Sequence, residues 1–258
     1  LTDGRAGHFE RPPEELAVLR RDEAAAAGRV IGAEYVTWNV PDGELLPTLD
    51  LRQRVIREMR TFRPDLVLTH RPYDYHPDHR AAGQVVLDAT YLVTVPNVMP
   101  DFPALRRDPV VAYLPDLFRK PCPFEPDVVL DVTDRAETIV RMLACQASQV
   151  FEWLPYEEGI LDQVPDVPEG DQDDGARLAW LHTWYRRHVL PRAERFRGEL
   201  IEAFGEARGR AIEFCEVYEL SEHAAAADPA TRQRLFPGAH CRPPRASAAA
   251  TPAQLPAE

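Results

Sequence analysis

Two apolar rhythms alternate along the first half of this chain. Residues 14–28 follow Pro12-Pro13, open on Glu14 and Glu15 and run to Gly28, which predicts a helix. Residues 34–40, Glu-Tyr-Val-Thr-Trp-Asn-Val, are β-branched and aromatic and predict a strand. Residues 49–62 place Leu51, Val55, Ile56 and Met59 on one helical face. Leu66-Val67-Leu68-Thr69, led in by Pro64, reads as a short strand buried in a parallel sheet. From Pro77, suited to a first helical turn, Ala81, Ala82, Val85, Val86 and Ala89 form the apolar stripe of another helix. This alternation predicts an α/β fold built on a parallel sheet.

The second half is less regular. Eight prolines fall between Pro96 and Pro126, so residues 91–126 read as a long ordered insert, with one strand at Val110–Leu114. Residues 128–132 predict a further strand and 134–150 a helix ending in Ser148-Gln149. Residues 155–175 are acidic and read as a solvated loop; they lack the spacing of a calcium loop. Residues 176–214 read as helical with a break at Pro191. Within them His182 and His188 stand six apart, a poor spacing for a metal pair on one helix face, and read as packed or surface side chains. Beyond Ala224 the Ala/Pro/Arg composition reads as a disordered tail, giving one domain over 1–223 and a tail over 224–258. No internal repeat is present.

The chemistry is concentrated in residues 70–80, His-Arg-Pro-Tyr-Asp-Tyr-His-Pro-Asp-His-Arg. Three histidines and two aspartates follow the carboxyl end of a predicted strand and lead into a helix, where open α/β sheets bind ligands. His76 and His79 are three apart at the helix start, so both rings reach one small volume. Imidazole is the commonest side-chain metal ligand, and a neighbouring carboxylate can fix its tautomer. Elsewhere two readings stand at each polar position. Arg5 and His8 suit a pocket wall or a surface turn; Arg20 with Glu23 suits a substrate contact or a helix ion pair; Asp42 in Pro-Asp-Gly suits a hydroxyl acceptor or a turn.

Asp74-x-His76-Pro77-Asp78-His79-Arg80-Ala81 resembles the second signature of the LmbE-like, PIG-L type N-acetylglucosaminyl deacetylases. Leu1-Thr2-Asp3-Gly4 with Gly7, Arg20-x-x-Glu23-Ala24, Val40-Pro41-Asp42-Gly43 and Ser148-Gln149 match further family positions in the same order. The resemblance covers about residues 1–150 and implies a Rossmann-like three-layer parallel sheet, truncated at the N-terminus. It implies a zinc-dependent hydrolase that removes an N-acetyl group from an amino sugar or amino-sugar conjugate. By that resemblance His79 is a zinc ligand, and His76 stabilises the oxyanion and protonates the leaving amine. Asp78 hydrogen-bonds His76 and keeps it charged, while Arg20, Asp42, Asp74 and Arg5 meet the substrate. The family's first signature, Ala-His-Pro-Asp-Asp-Glu, is absent and would lie upstream of Leu1. With His79 as the one zinc donor in hand, the expectation is that this stretch is inactive by itself. The competing expectation is a non-catalytic sugar-binding relative that lacks a complete metal site.

Charge and cysteine content narrow the partners. A formal net charge of -12 argues against nucleic acid or an anionic membrane as the main partner. No run of eighteen apolar residues and no leader pattern at Leu1 predict a protein without a membrane span. Cys122, Cys145, Cys215 and Cys241 form no CxxC pair, which points to a reducing cytoplasm. The expected partner is a small amino-sugar substrate, with a homo-oligomer left open.

Overall fold

A computed structural model of the 258-residue chain describes residues 1–166 and 175–242. Helix α1 (Pro13–Ile31) and helix α2 (Leu49–Phe62) precede strand β1 (Leu66–Thr69), helix α3 (Pro77–Leu92) and strand β2 (Val110–Tyr113). Strand β3 (Val128–Asp131) leads to helix α4 (Ala136–Ala144), a π-helical turn at Ser148–Trp153 and helix α5 (Leu154–Glu157). Helices α6 (Gly175–Arg195), α7 (Arg197–Phe204) and α8 (Glu206–Ala211) come next. Strand β4 (Cys215–Leu220), helix α9 (Pro229–Leu235) and strand β5 (His240–Cys241) complete the described chain.

The five strands lie in the order β1-β2-β4-β3-β5. Side-chain alternation sends their apolar residues to both faces. On one face Val67 and Val111 pack with Val55, Ile56, Val85 and Ala89 of α2 and α3. On the same side Val129 and Val217 pack with Phe196 and Leu200. Ala112 and Val128 point the other way, onto Phe236 at the end of α9. The α/β class with helices on both sides is therefore present. The sheet, however, is mixed. Only β1 and β2, joined through α3, run parallel. β4 enters antiparallel between β2 and β3, and β5 lies antiparallel on β3.

Three local expectations change. Residues 34–39 form no strand among the described residues: Thr2 pairs with Val40 as an isolated parallel bridge, and Tyr35 and Val36 are exposed. A β-prone run becomes a strand only against a neighbour that pairs with it. Residues 224–242 are not a disordered tail, because α9 and β5 lie there and Arg242 N donates to Asp127 O; residues 243–258 of that expected tail lie outside the described residues. Pro191 does not break α6. It sits on the exposed face, where water can satisfy the carbonyl its ring leaves free. The breaks fall instead at Phe196 and at Gly205, whose φ of 82° favours glycine. The acidic stretch 155–175 is described up to 166; its remainder up to 174 lies outside the described residues.

Two buried arginines organise the expected insert. Arg60 of α2 donates to the carbonyls of Leu92, Val93, Val95, Val98, Met99 and Phe102. Arg71, after β1, donates twice to Asp116, at 2.7 and 2.8 Å, and also to the carbonyls of Cys122 and Phe118. The segment 116–122 is thereby held against the end of β1.

Candidate metal and substrate site

β1 ends at Thr69, and the next residue, His70, emerges at the sheet's carboxyl edge. α3 approaches that point closely. A Cβ on Gly83 would lie 2.5 Å from the His70 carbonyl oxygen, so glycine is required for helix and strand to meet here. That approach brings His79, in the first turn of α3, face to face with His70. Their ring centroids are 4.0 Å apart and the planes differ by 5°.

Asp74 organises the imidazoles. Its Oδ1 accepts from the His76 backbone N–H at 3.0 Å and lies 3.0 Å from His79 Nδ1, while Oδ2 is 3.7 Å from His70 Nδ1. Burial, then the neighbouring His79, push His70 below its ordinary pKa, which favours the neutral, ligating form. One donor atom each from His70, Asp74 and His79 lies within 4.8 Å of the other two. Two imidazoles and a carboxylate are a donor set used by hydrolytic zinc sites, so these residues fit a metal with an open position. His79, expected as a zinc ligand, is joined in this cluster by His70 and Asp74. His70 opened the His/Asp cluster in the sequence but was given no role; its place just past the carboxyl end of a parallel strand was the available signal.

His76 caps α3. Its Nδ1 accepts from the Asp78 N–H at 3.2 Å, so a neutral His76 carries its proton on Nε2. The expected bond from the Asp78 carboxylate to His76 is not formed. That carboxylate, 5% exposed, accepts from Gly43 N at 2.7 Å and Leu45 N at 3.1 Å. It ties the start of α3 to the Pro41–Leu45 turn, because those two amides have no ladder partner. Asp78 is thus a positioning residue, and Asp74 is committed to the imidazoles.

Asp42, in the same turn, is pushed upward in pKa by burial and then by Asp78, against the opposing pull of His76 and Arg20. It belongs to the same electrostatic neighbourhood as His76. Arg20 Nε donates to Ser148 Oγ at 2.7 Å and its NH2 to Gly7 O at 2.9 Å; its NH1 makes no hydrogen bond among the described residues. Burial, the largest influence, lowers the pKa of this guanidinium. Glu23 does not orient Arg20 directly, standing 4.0 Å away; it accepts from Ser148 N and Oγ at 2.7 and 2.6 Å. Arg5 turns onto Asp3, with Nε 2.8 Å from Oδ2, and is occupied there. His8 is paired to Glu152, which also holds Arg11 in a two-bond contact. His182 and His188 lie apart from the site; His188 stacks on Trp184 and pairs with Glu158.

The fold and this donor set define an α/β domain whose candidate metal site sits at the edge of the parallel β1–α3–β2 unit. Residues 1–90 match the PIG-L family model, described as GlcNAc-PI de-N-acetylase, which bears out the resemblance read from the His-Pro-Asp-His motif. The chain is 29% identical over 171 residues to a diacetylchitobiose deacetylase of Thermococcus kodakarensis, covering 60% of this chain and 61% of the relative. It is 28% identical over 140 residues to a 4-oxalmesaconate hydratase of Pseudomonas putida, covering 53% of each. It thus spans between half and two thirds of those relatives' lengths. The solved N,N'-diacetylchitobiose deacetylase from Pyrococcus horikoshii superposes with a TM-score of 0.59 at 19% identity, over 86% of this chain and 71% of that one. That likeness establishes the shared fold. No helix among the described residues is long and apolar enough to cross a membrane.

Proposed function

We propose that this chain carries the site of a zinc-dependent hydrolase that removes an N-acetyl group from an amino sugar or amino-sugar conjugate. The observation that carries the reading is the convergence of His70, Asp74 and His79 within 4.8 Å, with the His76 ring centroid 4.8 Å from that of His79. His70, Asp74 and His79 would hold the metal, which when bound supplies an activated water and polarises the amide carbonyl.

The chain's own groups do the rest. His76 offers an N–H at Nε2, suited to stabilise a developing oxyanion and then to protonate the departing amine. The Asp74 carboxylate, 3.0 Å from His79 Nδ1, fixes the orientation of that imidazole. Asp42, in the electrostatic neighbourhood of His76, suits a sugar hydroxyl, and Arg20 offers NH1 from a guanidinium already fixed at its other nitrogens. Asp78 and Arg5 support this arrangement through Gly43, Leu45 and Asp3.

Zinc titration of the chain and of its His79→Ala variant tests the donor set. One zinc per chain, lost in the variant, is expected, together with metal-dependent acetate release by the whole protein. Equal zinc uptake by both would remove His79 from the site, acetate release unaffected by the substitution would remove His79 from the mechanism, and no acetate release from any acylated amino sugar would end the hydrolase reading. Similarity to the hydratase favours a second reading, in which the same metal and His76 add water to an unsaturated oxo-acid. Loss of the conjugated substrate's ultraviolet absorbance, with no acetate released from any acylated amino sugar, would select it.

A further inference from the structure

Tyr75 stands between His76 and Asp74 yet is 70% exposed. An aromatic ring left in water on a surface loop is ordinarily free to fold back onto apolar neighbours. This one is held in place. Arg80 donates at 2.8 Å to the carbonyls of both Asp74 and Tyr75, and Asp74 caps the next amide. Phe118, 40% exposed, lies 6.4 Å from Tyr75 between ring centroids. Its segment is fixed in turn by the buried Arg71–Asp116 pair, with Phe118 N donating to Asp116 Oδ1 at 2.9 Å. Two separate anchors therefore fix the main chain beneath two aromatic rings that stand exposed at the rim of the histidine cluster. Neighbouring exposed rings at the rim of a site offer a ligand an apolar face to stack on.

Its orientation selects the ligand. The Tyr75 ring stands at 82° to the His76 plane and 78° to the His79 plane, with centroids 5.8 and 5.6 Å away. A second ring lying flat against Tyr75 would share that orientation and stand nearly perpendicular to both imidazoles. A pyranose has this shape chemistry: its C–H groups line a flat apolar face, and its equatorial substituents leave through the edge. We propose that Tyr75, with Phe118 beside it, is the subsite for the apolar face of a β-pyranose whose equatorial acylamino group is thereby aimed at His76 and His79. This proposal rests on the deacetylase reading and names the ring orientation that reading leaves open.

Proton NMR titration with methyl N-acetyl-β-D-glucosaminide tests it on the whole chain. Stacking should move the axial H1, H3 and H5 resonances upfield by the ring current of Tyr75. Tyr75→Ala should abolish that shift and weaken binding roughly three- to tenfold, and Tyr75→Trp should retain it. N-acetylbutylamine, an acyclic acylamide, should bind equally to wild type and Tyr75→Ala. Absence of saturable upfield shifts in the wild type, or undiminished glycoside binding by Tyr75→Ala, would overturn the proposal. An equal loss for the acyclic amide would assign the surface to an alkyl chain and overturn the sugar assignment. Neither readout needs turnover. Upfield shifts without acetate release would therefore count against the deacetylase reading alone, and acetate release without such shifts against the subsite alone.

Discussion

Replacing Gly83 by alanine tests how the site is assembled. The added Cβ would stand 2.5 Å from the His70 carbonyl oxygen and 3.3 Å from its carbon, where real contacts essentially never fall below 3.0 Å. The obstacle is main chain at the end of a paired strand, not a side chain that can swing away. α3 must therefore move off β1 by at least the 0.5 Å that separates 2.5 from 3.0 Å. Alanine in a helix interior contributes about 1 kcal/mol relative to glycine. Overpacking against a rigid partner costs about 1–3 kcal/mol, and the main-chain obstacle places this case at the upper end. A net loss of about 2 kcal/mol is expected, or roughly 4–8 °C in melting temperature for a domain of this size. Gly198→Ala in α7, where nothing lies within 4 Å, is the control and should be neutral or stabilising by up to about 1 kcal/mol. Thermal melts of both variants give the comparison. Because the displaced elements carry His70 and His79, zinc uptake should weaken in Gly83→Ala as well. A Gly83→Ala protein as stable as wild type would refute the claim that this glycine sets the spacing of the two imidazoles.

Asp116→Ala should lower the stability measured by urea unfolding by about 3–5 kcal/mol, because it leaves the buried Arg71 guanidinium without its two-bond partner. The double change Arg71→Met with Asp116→Leu should recover most of that loss. Ser148→Ala removes an oxygen that both accepts from Arg20 and donates to Glu23, and should cost about 1–3 kcal/mol in the same assay. Glu152 is held below its ordinary pKa chiefly by the hydrogen bonds from Arg11, with burial opposing and His8 assisting. A depressed folded-state value means that this contribution is present above the ordinary carboxylate value, about 4.3, and is lost as pH falls through the folded one. The stability gap between wild type and Glu152→Gln should hold steady above about pH 5 and close on further acidification; a gap that widens in acid would contradict this pairing.

The β1–loop–α3 unit was legible because three local signals agree there: an apolar run, a proline suited to a first helical turn, and a stripe at helical spacing. The His/Asp cluster was legible for the same reason, since it lies within one stretch of sequence. What the sequence hid were choices made across the fold. Asp78 looks like a partner for its neighbour His76, yet its carboxylate satisfies the amides of Gly43 and Leu45 from a turn more than thirty residues earlier. His70 joins His79 only because Gly83 admits the strand end. The antiparallel insertion of β4 between β2 and β3 depends on partners 84 to 108 residues apart, which no periodicity records. Residues 224–242 are poor in large apolar side chains, but Phe236 and the β3–β5 pairing suffice to fix them.

Arg60 has an evolutionary corollary. It reads six carbonyl oxygens between Leu92 and Phe102 and no side chain there. Main-chain recognition is blind to residue identity, so substitutions across this stretch can accumulate as long as the carbonyls still converge. The far end of α3 stays moored while its surroundings drift, and the histidines at its near end are insulated from that drift by the length of the helix.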